Sequence, residues 1–119
     1  AFSLDVERNP SAYTQLMQAL DFAVGPSIEV VVAGELAKSQ TQALVKALHK
    51  DFIPNKVILH RPPGENASIV KIAPYTENQE PDVDGATLVY ICRNYACKKP
   101  VSAVNALQQI LAESTRQKP

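Results

Sequence analysis

The run Ile28-Glu29-Val30-Val31-Val32-Ala33 constrains the fold more than any other part of the sequence. Its β-branched side chains are stiff at χ1 and pack well on a pleated surface, and Gly34 stops the run before a helix of ordinary length can form. A strand this continuously apolar must be covered on both faces, as in a parallel sheet flanked by helices.

The segments on either side fit that requirement. Ser39, with Gln42 three residues on, is the expected cap of a helix in which Ala43, Leu44, Ala47, Leu48 and Phe52 form one apolar stripe. Gln42, Lys46, His49 and Lys50 lie on its polar side, and Pro54-Asn55 closes it. Residues 57–59 form a second buried strand, and strand, helix, strand in that order predicts a right-handed parallel crossover. Residues 61–85 hold Pro62, Pro63, Gly64, Pro74 and Pro81, so they read as loop with a short helix over 67–73. Residues 86–92 form a third strand through Leu88, Val89, Tyr90 and Ile91. Ser102 caps a last helix with Val104, Leu107 and Leu111 inward, flanked by Ala103, Ala106 and Ile110.

Ahead of the first strand, Asn9-Pro10 opens a helix over 10–23 that Gly25-Pro26 ends. Its face of Tyr13, Leu16, Met17 and Leu20 needs a cover. Phe2, Leu4 and Val6 alternate with polar residues, as in a short strand or a fragment of an element whose partners lie elsewhere. The whole predicts an α/β fold: a three-layer sandwich around a small, mostly parallel sheet of three or four strands. With so few strands, either the 2–6 segment adds an edge or another part of a longer protein covers one.

A chain of 119 residues suits one domain, here 1–119. Twelve basic and twelve acidic residues cancel, which argues against nucleic acid as a partner because phosphate contacts need a basic footprint. Charge is nonetheless uneven, with Glu77, Glu80, Asp82 and Asp84 over 74–85 and five bases against one acid over 93–118. These read as solvated faces, with docking to a partner as the alternative. No apolar run is long enough to span a membrane as a helix. The start at Ala1 without a leader is expected of an excised piece of a longer protein. Two cysteines make no disulfide framework, so a reducing, cytoplasmic setting is the expectation. Asn66-Ala67-Ser68 matches a glycosylation acceptor, a triplet that matters only in a secreted protein.

In a parallel sheet, ligands bind beyond the carboxyl ends of the strands. Those ends bring Gly34 and Glu35, His60 and Arg61, and Cys92, Arg93 and Asn94 to a candidate rim, where His60, Arg61, Arg93 and Asn94 are the ligand-binding candidates. Cys92 and Cys97, with four residues between them, do not form the Cys-x-x-Cys redox motif. Cys92 reads as the apolar end of the third strand and Cys97 as a loop residue, and Arg93, Lys98 and Lys99 would favour a thiolate on an exposed Cys97. His49 and His60 are too few for structural zinc, and no metal or cofactor is expected. Ala33-Gly34-Glu35-Leu36 lacks the phosphate-loop pattern, although free N–H groups of the helix near Ser39 could meet an anion. Asp82-Val83-Asp84-Gly85 lacks the later ligands of a calcium loop and reads as a turn.

Three motifs carry a resemblance: Ile28-Glu29-Val30-Val31-Val32-Ala33-Gly34; Phe52-Ile53-Pro54-Asn55-Lys56-Val57 running on to Arg61-Pro62; and Tyr90-Ile91-Cys92-Arg93-Asn94-Tyr95-Ala96-Cys97-Lys98-Lys99-Pro100. In this order they resemble the C-terminal end of the thioredoxin-domain-containing proteins of the YyaL and spermatogenesis-associated type. The resemblance implies a parent with a thioredoxin-like module, an α/α-barrel and this α/β tail, residues 1–25 being the end of the barrel. The parent's other sites would lie upstream. The expected role is a non-catalytic accessory domain packed on the parent's upstream domains. The alternatives are a thiol redox partner using Cys97 and Cys92, and a small-anion or sugar-phosphate site at the strand ends.

Overall fold

The computed structural model of the chain describes residues 3–64, 67–94 and 96–116. Strands β1 (Ile28–Ala33), β2 (Lys56–Arg61), β3 (Leu88–Arg93) and β4 (Ala96–Cys97) form one sheet in the order β2-β1-β3-β4. Helices α1 (Ser3–Arg8) and α2 (Thr14–Val24) precede it, with a 3-10 turn over Pro10–Tyr13 between them. Helix α3 (Ser39–Lys50) connects β1 to β2, α4 (Ser68–Ile72) lies between β2 and β3, and α5 (Val104–Arg116) follows β4. The architecture is α/β, as the alternation of apolar runs and amphipathic stretches predicts.

The central strand explains the core. β1 has neighbours on both edges, and Val30, Val31 and Val32 are buried on both of its faces. Side chains alternate, so Ile28, Val30 and Val32 join Val89 and Ile91 of β3 on one face. Against them pack Leu44, Ala47 and Leu48 of α3 and Leu107 and Leu111 of α5. Each fully buried leucine contributes about 1.5–3 kcal/mol. Both long helices therefore lie on one side of the sheet. The opposite side, with Val31, Ala33, Arg61, Tyr90 and Cys92, is covered by the connection between β2 and β3, which includes α4 and a 3-10 turn over Pro74–Thr76. That third layer is thin and polar.

The sheet is mixed rather than mostly parallel. β1 and β2 run parallel, with Val30 opposite Ile58, while β3 runs antiparallel to β1, with Val31 opposite Tyr90, and β4 antiparallel to β3. The reason is length. A twelve-residue α3 rises about 18 Å and carries the chain back along the sheet, whereas a five-residue α4 rises only about 7.5 Å, short of a six-residue strand. The chain leaving β2 therefore enters β3 at the same end of the sheet.

Other expectations are corrected locally. Leu4 and Val6 belong to α1, not to a strand, and Phe2 lies outside the described residues. The fourth strand is instead β4. Lys38 rather than Ser39 is the residue at the α3 cap position, with no side-chain capping bond, and α5 begins at Val104. Asn9 makes no capping bond either; its carboxamide oxygen accepts from Ser11. Phe52 falls beyond α3 and is 91% exposed, and Ala43 is exposed. β2 is longer than residues 57–59 and half-buried along most of its length, as befits an edge strand. Asn66 of the glycosylation triplet lies outside the described residues.

Candidate functional site

The reversal of β3 takes the expected rim apart. Ala33 and Arg61 end their strands at one edge of the sheet, beside Leu88. Cys92, which pairs with Glu29, and Arg93 lie at the other edge with Asn94, so His60 and Arg61 do not share a cleft with Arg93 and Asn94. At the first edge His60 Nε2 donates to the Gly34 carbonyl at 2.8 Å. At the second, Asn94 takes a positive φ of 50° at the tip of the β3–β4 hairpin, and Arg93 donates to the Ser114 carbonyl of α5 at 3.5 Å.

Arg61 is a structural clamp. It is 1% exposed, and its guanidinium is spread over the thin layer. Nε donates to the Thr76 carbonyl at 3.0 Å, Nη1 to the carbonyls of Pro62 and Gly64 at 2.7 and 3.1 Å, and Nη2 to the Glu77 carbonyl and Glu80 Oε1 at 3.3 and 2.9 Å. These bonds engage all the N–H groups an arginine possesses, leaving none for a ligand. The Glu80 end is half exposed, so that ion pair is the weaker part of the arrangement.

A polar depression of about 500 Å³ opens beside the clamp, lined by Arg61, Glu77, Asn78, Glu80, Pro81 and Tyr90. The Tyr90 hydroxyl donates to the Glu80 carbonyl at 2.7 Å. Partial burial, then the nearby carboxylates of Glu80 and Asp82, push the Tyr90 phenol above its ordinary value, against a smaller opposing pull from Arg61. Tyr75 is raised in the same direction by burial and by the Glu29 carboxylate that accepts its hydrogen bond.

The two cysteines are bonded to each other. Cys92 and Cys97 face one another directly across β3 and β4, with Cα atoms 3.9 Å apart. Both therefore depart from the free thiols expected from the sequence, and Cys97 lies in a strand rather than a loop. Cys92 is 2% exposed, whereas Cys97 is exposed. Gln79, from the connection above, places Nε2 3.5 Å from each sulfur, and its buried Oε1 has no hydrogen-bond partner among the described residues.

The remaining candidates are local structure. Asp82 and Asp84 accept from the backbone N–H groups of Val83 and Ala86, which makes 82–85 the expected turn. Among the described residues no group of three or more His, Cys, Asp or Glu converges as metal ligands, and no helix is long and apolar enough to cross a membrane. Sequence reasoning missed Gln79, and it named Tyr90 only as a residue of the third strand and Glu80 only as part of an acidic run. The spacing of Cys92 and Cys97 did hold a signal, because residues five apart oppose one another in a hairpin with a two-residue tip.

No family model and no solved structure matches the chain. It is similar to spermatogenesis-associated protein 20 from human, at 29% identity over 111 residues, and to the proteins of that name from rat and mouse, at 30% and 27%. Each match covers 93% of this chain but 14% of the relative. The chain's curated homologues are thus much longer proteins, of which it corresponds to a small C-terminal part.

Proposed function

We propose that this chain is a non-catalytic accessory domain, docked through its N-terminal arm on the upstream region of a longer parent protein. One observation carries the reading: residues 3–24 contain no buried side chain, although Leu4, Leu16, Met17, Leu20, Phe22 and Val24 are all large and apolar. Val6, Leu16, Met17 and Leu20 line an open groove of about 530 Å³ between α1 and α2. The total accessible surface, 8259 Å², also exceeds the ~6,300 Å² expected of a compact chain of this mass, and these exposed apolar side chains are part of the excess. The match to only 14% of each relative supports the rest of the parent as the cover.

The resemblance read from the sequence gives this cover a finer form. The parent carries a thioredoxin-like module and an α/α-barrel, and α2 completes the barrel's last helical layer. Asp21 joins arm to sheet domain by accepting from Asn55 Nδ2 at 2.8 Å, which sets the arm beside the start of β2.

Co-expression of this chain with the upstream region of its parent tests the proposal. The two should co-purify, and Leu16→Asp with Leu20→Asp should separate them. A chain that stays unbound at tens of micromolar, or that buries the arm in a dimer of itself, would overturn it.

A further inference from the structure

We propose that the Cys92–Cys97 disulfide is an exchange site for a dithiol reductant, with Gln79 positioning the buried sulfur. The two sulfurs are unequal. Cys97 is open to an attacking thiolate, while Cys92 is sealed beneath the connection between β2 and β3. Attack therefore falls on Cys97 Sγ. The S–S bond breaks with its electron pair leaving on Cys92 Sγ, and a bond forms between Cys97 and the reductant. The second thiol of the reductant then attacks its own bonded sulfur and releases Cys97. One dithiol is oxidised to a disulfide, and Cys92 and Cys97 each gain a proton as thiols.

Gln79 gives this site its polarity. Its Nε2–H groups reach both sulfurs, so charge developing on Cys92 meets a donor inside the protein instead of an apolar wall. The amide is also incompletely satisfied in the bonded state, since its buried oxygen has no hydrogen-bond partner among the described residues, and its N–H groups meet a stronger acceptor once Cys92 becomes a thiolate. The bridge itself adds little constraint. It closes a hairpin already aligned by the pairing of Arg93 with Ala96, and its short loop restricts the unfolded chain less than a long one would. Opening it leaves the core of β1, α3 and α5 untouched, because those contacts lie on the other face.

The test is a titration of the intact chain in buffers of reduced and oxidised dithiothreitol, reading bonded and free cysteines by alkylation and mass. The expected result is a reversible two-electron equilibrium reached while the fold persists by circular dichroism. Gln79→Leu should shift that equilibrium about fivefold toward the disulfide, the worth of one hydrogen bond to the reduced form. Reduction that occurs only at the rate of global unfolding would overturn the proposal without any variant. So would two thiols that stay free in oxidised buffer, or an equilibrium that Gln79→Leu leaves in place.

Discussion

Thr41 of α3 and Thr87, just ahead of β3, bring their hydroxyls to 2.7 Å in the interior, 46 residues apart in sequence. The contact fixes the start of α3 against the entry to β3, and Gly34 passes beside it. A Cβ at Gly34 would stand 2.6 Å from Thr87 Oγ1 and 2.9 Å from its Cγ2. Thr87 is fully buried, so it has no room to yield. Gly34→Ala should therefore destabilise the chain by about 1–3 kcal/mol in urea unfolding. Adding Thr87→Ser should recover part of that loss, because it removes one of the two groups in the way.

Arg61→Ala should cost about 3 kcal/mol, since it strips the buried carbonyl of Thr76 and the partly buried contacts to the carbonyls of Pro62, Gly64 and Glu77 of their donor. Arg61→Lys should not restore stability, because an ammonium cannot span the same fan of acceptors. Thermal unfolding of the three proteins side by side checks both statements, and a Lys variant of wild-type stability would contradict the clamp.

Tyr90→Phe should cost about 1 kcal/mol through the lost bond to the Glu80 carbonyl. The same variant has a signature in pH. Tyr90 and Tyr75 both have raised folded values, so folding favours their neutral forms. Their contribution is whole below the ordinary tyrosine value near ~10 and is lost as pH rises through the folded values. Stability should accordingly fall above pH ~10, and less steeply in Tyr90→Phe.

Leu16→Asp and Leu20→Asp should change the stability of the isolated chain by no more than about 0.5 kcal/mol, because neither side chain is buried in it. The same pair should abolish association with the parent. A large loss of stability in the isolated chain would show that the arm packs on the sheet domain instead.

Much of the fold could be read from the residues. The Ile28–Ala33 run names the central strand, and the stripe of Leu44, Ala47 and Leu48 names the helix over it, because apolar periodicity reports burial directly. The direction of β3 could not be read from its own residues, since a buried strand has the same composition in either sense. It had to be inferred from the connection, a long proline-rich stretch whose one short helix, α4, rises less than the length of a strand. The site was less legible still. Arg61 and Cys92 stood out as residue types, but their roles depend on Thr76, Gln79 and Glu80, which reach them from a stretch without periodicity.

The placement of α3 and α5 on a single side of the sheet divides the molecule by strength. One half interlocks through branched aliphatic side chains, which separate only when the whole domain unfolds. The other is fastened by a few polar rivets at Arg61, Gln79 and Tyr90, and can peel away while the first half stays intact. Backbone amides between α4 and Glu80 should thus exchange with solvent well ahead of those in β1, so that this flap opens before the aliphatic half.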